Sequence, residues 1–424
     1  MATTTVIAPR YTPPIPSTMA ELGVPETIVH DIMIRRLYRD GIGSLQSLSR
    51  ALKISLPIVE TIFHQFRKRL LIEVKSMAGD DFNFSLTEAG RSLAQERLEL
   101  NQYSGPVPVS ISDYHKMSKA QSASIEVDRE SLREMFSDII VTDQLLDQVG
   151  PALISQNSLF LYGPTGNGKT TIAERLLRIY REPVLVPYSV EVDSQIILTF
   201  ELGVHEPVEA EQLEYDPRWV LCKRPYIVVG GELVGSQLEL QLDESTGIYS
   251  APLQMKANNG MFLIDDFGRQ VMTPRELLNR WIVPLDRRVD HLNLRHGVKF
   301  EIPFELMVVF STNLDPDELA DEAFLRRIQN KIYIEPVSAD VFDTIFESEA
   351  QKWQVNVRPE DMQYLRDLCL HKWHKPLRAC YPRDVCQLLT SISQYERRPV
   401  RVTPDELERA TMLYFTHQKA VEDV

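Results

Sequence analysis

Between Leu161 and Thr171 the chain reads LYGPTGNGKTT. An apolar run, SLFLYG (158–163), leads into it, and TTIAERLLRIY (170–180) follows. Read as local structure, this is a buried strand, a loop poor in side chains and a helix, with Gly163, Gly168, Lys169 and Thr170 matching G-x-x-x-x-G-K-[ST]. Such a loop is built to wrap its backbone N–H groups around a polyphosphate. Close approach needs positions without a Cβ, here Gly163, Gly166 and Gly168, while Pro164, Thr165 and Asn167 complete the loop. The helix that begins at Thr170 and Thr171 adds its positive end. Lys169 is placed to neutralise the β and γ phosphates, and the Thr170 hydroxyl to complete a Mg²⁺ shell. The spacing arises by chance in on the order of one in a hundred chains of this length.

A second segment, MFLIDD (261–266), is four apolar residues followed by two carboxylates. A buried strand with that pattern carries Asp265 and Asp266 to the carboxyl edge of a sheet, beside the loop. Asp265 is the expected Mg²⁺ residue, and Asp266 is expected to orient or deprotonate the attacking water.

The 424 residues exceed a single ordinary core. Residues 1–20, with four prolines, read as a disordered tail. Residues 21–102 read as three helices and a hairpin closed by LTEAGR, an order that resembles a winged helix-turn-helix. SLQSLSRALKI and SLPIVETIF each open on a serine able to cap a helix. The serine-rich stretch 103–125 reads as a linker. Strand and helix signals alternate over 126–336, the pattern of an α/β domain with a parallel sheet. Its expected strands are 158–163, 183–187, 260–266 and 305–313. Residues 337–424 read as an α-helical domain.

These motifs together resemble the AAA+ ATPases over roughly residues 126–420. FSDIIVTDQLLDQVGPAL (136–153) is similar to the family's segment before the loop, which implies that Ile139 and Ile140 flank adenine. VVFSTN ends on Asn313, the sensor 1 position. DEAFLRRI (321–328) is similar to the arginine-finger segment, which implies Arg327 as the finger with Arg326 beside it. YPRDVCQLL places Arg383 at sensor 2 on the lid. The family usually has Asp-Glu where this chain has Asp265-Asp266. The shorter side chain reaches about 1.5 Å less far, an offset that can cost about 10²-fold in rate.

The resemblance implies an α/β P-loop core with a helical lid, ATP and Mg as cofactors, and ATP hydrolysis in a homo-oligomeric ring, expected to be a hexamer. HLNLRHGVKFEIP (291–303) resembles the hairpin before sensor 1 in MoxR-type and Clp-type members. A second hairpin-like run is YIVVGGELVGSQLELQLDESTGIYS (226–250). Both are expected either to reach a central pore or to decorate the ring's outer face. Chaperone-like remodelling of a protein partner or adaptor is implied, as in bacterial ATPases with chaperone activity. A DNA-bound regulator or motor, and a slow ATP-holding switch, are the alternatives.

Charge and composition narrow the partners. The net charge of −14 opposes broad binding to nucleic acid. Residues 21–102 hold eleven basic and eleven acidic side chains, so RKR (67–69) sits on no cationic body. Protein docking is therefore favoured over DNA for this domain. No run is long and apolar enough for membrane insertion, and no signal peptide is visible. Four cysteines without a CxxC pair suggest a reducing, cytoplasmic setting. Cys369, His371, His374, Cys380 and Cys386 are spaced for packing rather than for zinc. The acidic run EPVEAEQLEY (206–215) reads as a solvated loop.

Overall fold

The computed structural model describes residues 9, 11–78, 81–122, 127–209, 213–319 and 322–415. Parts of the expected tail (1–8 and 10), linker (123–125), acidic run (210–212), finger segment (321) and carboxyl end (416–424) lie outside them.

The first unit runs α1 (Glu26–Asp40), β1 (Ile42–Ser44), α2 (Leu45–Leu52), α3 (Leu56–Lys68), β2 (Ile72–Ala78), β3 (Asp81–Leu86) and α4 (Glu88–Leu100). Its sheet, in the order β1-β3-β2, is antiparallel. Ile28, Val29, Ile32 and Met33 of α1 recur at helical spacing and are buried against Phe63, Phe66 and Phe84. Of the two serines expected to cap, only Ser44 does, accepting from the Ser47 N–H in a capping box. Ser55 instead gives its hydroxyl to the Pro16 carbonyl. That bond, and one from the Asp216 N–H to the Pro13 carbonyl, hold residues 11–20 on the surface. The described part of the expected disordered tail is thus tied down.

Residues 103–122 are not a loose linker. Tyr103 and Val107 are buried in the first unit's core, and β4 (Val109–Ser110) and α5 (Ile111–Ala120) follow. Serine here caps a helix: the Ser110 side chain accepts from the Asp113 N–H. Composition alone could not show this, because the partners of the apolar residues lie far away in sequence.

The α/β core begins with α6 (Arg129–Met135), α7 (Asp143–Ser155), β5 (Leu159–Tyr162) and α8 (Lys169–Leu176). Six strands follow: β6 (Val184–Pro187), β7 (Ser189–Val192), β8 (Gln195–Leu198), β9 (Trp219–Cys222), β10 (Tyr226–Val229) and β11 (Gln241–Asp243). Next come β12 (Ile248–Ser250), α9 (Leu253–Lys256), β13 (Met261–Ile264), α10 (Pro274–Arg287), β14 (Val289–Asn293) and β15 (Lys299–Pro303). Then β16 (Met307–Thr312), α11 (Pro316–Leu319), α12 (Glu322–Leu325) and β17 (Asn330–Tyr333) complete the core.

The main sheet is parallel throughout, in the order β10-β13-β16-β5-β17. Alternate residues feed opposite faces, as the pleat requires. Leu159, Leu161, Met261 and Leu263 pack toward α7 and α8, whereas Phe160, Phe262 and Ile264 pack toward Trp281 of α10 and Phe304. Burial on both faces explains why these strands read as unbroken apolar runs.

Two strand expectations are corrected. Residues 183–187 do form a strand, but β6 pairs antiparallel with β9 in a separate ribbon. Its four buried residues look like a parallel strand because an apolar run does not encode its partner. The 226–250 run is not one hairpin. Its first part is β10, the edge of the main sheet, and only β11 and β12 pair as a hairpin.

A second sheet, β11-β12-β8-β7-β4, is assembled from the long insertion and the expected linker. Leu292, Leu294 and Ile302 of the 291–303 hairpin are buried in its core with Tyr114, Val190 and Ile197. The His115 ring meets the Glu301 carbonyl at 2.7 Å. The hairpin is present, with Gly297 in its turn, and one of its faces is spent on this packing. Ile196 of the same sheet enters the first unit's core. Arg218 and Asp216, both buried, form an ion pair at 2.7 Å within the segment that leads into β9. Arg218 also donates to the carbonyls of Leu22 and Pro108.

The remaining helices, α13 (Ala339–Lys352), α14 (Pro359–Asp367), α15 (Cys380–Tyr395) and α16 (Pro404–Tyr414), enclose a core of their own. Cys369 and Cys386 are buried in it, and burial pushes both thiols up to about 12. Among the described residues no helix is long and apolar enough to cross a membrane.

Candidate functional site

Strand β5 lies between β16 and the edge strand β17 of the main sheet, and the loop it launches at Gly163 opens at the carboxyl edge. Lys169, the first residue of α8, is buried and turns back onto the loop, donating to the carbonyls of Gly163 and Pro164 at 2.9 and 3.0 Å. Desolvation lowers its pKa, Asp265 and Asp266 oppose that shift, and Arg378 adds to it. Two of the loop glycines are required by the protein's own packing. A Cβ on Gly163 (φ +134°) would lie 2.4 Å from the Ile334 carbonyl oxygen. One on Gly166 (φ +81°) would lie 2.6 Å from the Cys380 sulfur in the helical domain.

The two-strand separation between β5 and β13 is bridged by chemistry. The Thr170 hydroxyl donates to the Asp265 carboxylate, with oxygens 2.9 and 3.0 Å away. Asp265 and Thr170, 95 residues apart, therefore share one point in space. That pair is the donor set a hard cation takes, oxygen only, with one anionic ligand. Asp266 follows in the left-handed region (φ +48°) and is exposed. Its turn is pinned by the Phe267 N–H to the Ser311 carbonyl and by the Thr312 hydroxyl to the Phe267 carbonyl. Gln270 donates to the carbonyls of both Asp265 and Asp266. Nothing in the sequence marked Gln270, since its role is visible only once the turn is closed.

Asn313 directly follows β16, the strand between the two motif strands. Its amide oxygen is buried and has no hydrogen-bond partner. A buried polar atom left unmatched costs about 1–3 kcal/mol, so this one points to a group that the protein itself does not supply.

Of the residues expected around adenine, Ile139 is half-buried against the core of α7 and α8, and Ile140 is exposed. The segment is held through Asp138, which accepts from Arg175 and Arg178 of the loop-helix region. The Arg178 hydrogen bond, followed by Arg175, holds the Asp138 carboxyl well below its ordinary range. A lowered carboxyl pKa stabilises above the unfolded value and is lost as pH falls through the folded one. With the side chain 40% exposed, solvent screening limits the contribution to about 0.5–1 kcal/mol. Asp138→Asn is expected to lose this stabilisation at neutral pH. Melting curves of the variant should approach those of wild type only below about pH 4.

Arg327 stands at the other end of the sheet. It lines a recess of about 250 Å³ with Asn157 and Ser158, at the start of β5, and it forms an ion pair with Asp286 of α10 at 2.7 Å. Arg326 is exposed and lines the same recess. The four residues of β5 put about 13 Å between this place and the chain's own loop. Arg383 is exposed in the first turn of α15. The residues just before it carry the contact: the Cys380 N–H donates to the Gly166 carbonyl at 3.0 Å, and the Ala379 N–H to the Asn167 amide oxygen at 3.4 Å. The structure thus gathers Lys169, Thr170, Asp265, Asp266 and Asn313 at one edge, lays the helical domain on the loop, and sets Arg327 apart, while Arg326 also lines a second recess with Tyr162 and Asp315.

A family model described as a domain of unknown function (DUF8689) matches residues 338–412, the helical domain. No curated protein matches the chain. Among solved structures, the chain is similar to the RuvB Holliday junction branch migration motor of Thermotoga maritima, at 11% identity and TM-score 0.36, covering 69% of this chain and 72% of that one. It is also similar to the FIGL-1 AAA domain, at 14% identity and TM-score 0.38, covering 72% and 88%.

Proposed function

We propose that this chain is a Mg-dependent ATPase of the AAA+ type, acting as a homo-oligomeric ring that couples hydrolysis to the remodelling of a protein partner. The observation that carries the reading is the Thr170–Asp265 contact at the mouth of the loop. It joins two motifs distant in sequence into one cation and phosphate site.

In this reading Lys169 releases the loop carbonyls and holds the β and γ phosphates, while Thr170 and Asp265 hold Mg²⁺. The metal, when bound, neutralises charge that develops on the transferred phosphoryl group. Asp266 accepts the proton of the attacking water, and the Asn313 amide orients that water. Arg327 acts on a neighbour's nucleotide, and Arg383 faces the phosphates from the lid. Ring assembly is supported by the distance between Arg327 and the chain's own loop.

Protein remodelling is favoured over DNA work by the first unit's surface. Next to the exposed cations Arg67, Lys68 and Arg69 stand exposed Leu70, Val74 and Met77, which suit a protein partner. Salt-dependent duplex binding lost on replacing residues 67–69 would support the DNA reading instead.

The chemistry is tested at Asp266. Asp266→Asn is expected to lower kcat by about 10²-fold or more with nucleotide affinity retained. Asp266→Glu is expected to match or exceed wild type, because the longer side chain restores the reach the family usually has. An Asn variant hydrolysing at the wild-type rate would remove Asp266 from the mechanism, and a wild-type chain holding ATP through single-turnover assays would establish the slow switch.

A further inference from the structure

Arg378 lies in the segment that joins the helical domain to the loop, five residues before the expected lid arginine. Its Cδ lies 3.4 Å from where a Cβ on Gly166 would be, so the side chain runs along the phosphate loop. Its Nε is buried with no partner, and among the described residues the guanidinium makes no hydrogen bond or ion pair. What it has is the face of the Tyr381 ring, 5.9 Å from the ring centroid, which orients a guanidinium plane while leaving its N–H fork available. A half-buried cation at the loop is costly without a counter-charge. Asp265, a carboxylate at the loop, takes the Thr170 hydroxyl instead. A buried guanidinium nitrogen without a partner, set against the loop from which Lys169 follows, describes a site for a polyanion.

We infer that Arg378 is a nucleotide-binding residue of the helical domain, contacting the triphosphate held by the loop and so tying closure of that domain to the nucleotide. The inference rests on the ATPase reading and adds to it a second lid cation that the motif YPRDV does not contain. It follows that the lid's grip on the nucleotide depends on Arg378 as well as on Arg383.

The test measures the affinity of the full chain for the magnesium complex of a non-hydrolysable ATP analogue, with Arg378→Ala, Arg378→Gln and Arg378→Lys. A lost charge-assisted phosphate contact is expected to weaken binding by about ten- to a hundredfold in the Ala and Gln variants. Lysine should restore part of it and steepen the salt dependence again. Melting midpoints check that the variants fold. If the Ala variant binds within twofold of wild type, the inference is overturned. It is equally overturned if Gln, Ala and Lys lose affinity alike, since packing rather than charge would then be the cause. Failure of the wild-type chain itself to bind would instead overturn the nucleotide reading, a distinguishable result.

Discussion

Arg327→Ala is expected to reduce kcat for ATP by about 10³-fold or more while leaving nucleotide affinity within a few-fold of wild type. The reason is geometric. A guanidinium that stabilises phosphoryl charge in the transition state, but is absent from the resting site, changes the barrier and not the ground state. Arg327 begins at the amino edge of the main sheet, in an ion pair with Asp286, and the loop opens at the carboxyl edge. The chain's own loop is out of its reach, so on the proposed reading it acts on another copy's. A sharper form of the experiment mixes Arg327→Ala with Lys169→Ala chains. Each is expected to be inactive alone, one lacking the finger and the other the phosphate lysine. In an equal mixture about a quarter of the interfaces pair an intact loop with an intact finger, so activity should reappear. Hydrolysis by Arg327→Ala at the wild-type rate, or no recovery on mixing, would refute action between copies.

The second large effect concerns stability. Arg218→Ala should destabilise the joint between the first unit and the second sheet by about 3–5 kcal/mol, the cost of stripping one partner from a buried ion pair. Asp216 would be left buried with a charge, and the carbonyls of Leu22 and Pro108 would lose their donor. The expected readout is a melting midpoint lower by several degrees, together with faster proteolysis within 103–122. Replacing both members with apolar residues, Arg218→Met with Asp216→Leu, should recover much of the loss, because it removes the stranded charge. A single variant as stable as wild type would show that the first unit is not clamped through Arg218.

That clamp alters how force could travel. A first unit on a loose tether would only recruit a partner. Here β4 pairs with β7, Ile196 enters the first unit's core, and the 291–303 hairpin is packed into the same second sheet. Because β14 follows α10 and β15 precedes β16, the strand that leads to Asn313, the hairpin connects the proposed nucleotide site to the second sheet. The hairpin's sequence pattern was legible, since its alternation and Gly297 are local. Its burial against a second sheet was not.

What the sequence by itself determined is whatever depends on neighbours in the chain. The loop follows from glycines at fixed intervals before a helix, the acid pair from an apolar run that ends in carboxylates, and the site edge from where parallel strands must stop. These are short-range consequences of backbone geometry and side-chain period, so Lys169, Thr170 and Asp265 could be placed without coordinates, whereas Asn313 came only from the family resemblance. Only the tertiary structure decided which strands pair, that the serine-rich segment is an ordered strand and helix, that Arg218 is a buried joint, and that Arg378 rather than its motif neighbours lies along the loop. Each of those depends on contacts between residues tens to hundreds of positions apart, and a chain's local pattern carries no record of which distant surface will desolvate it.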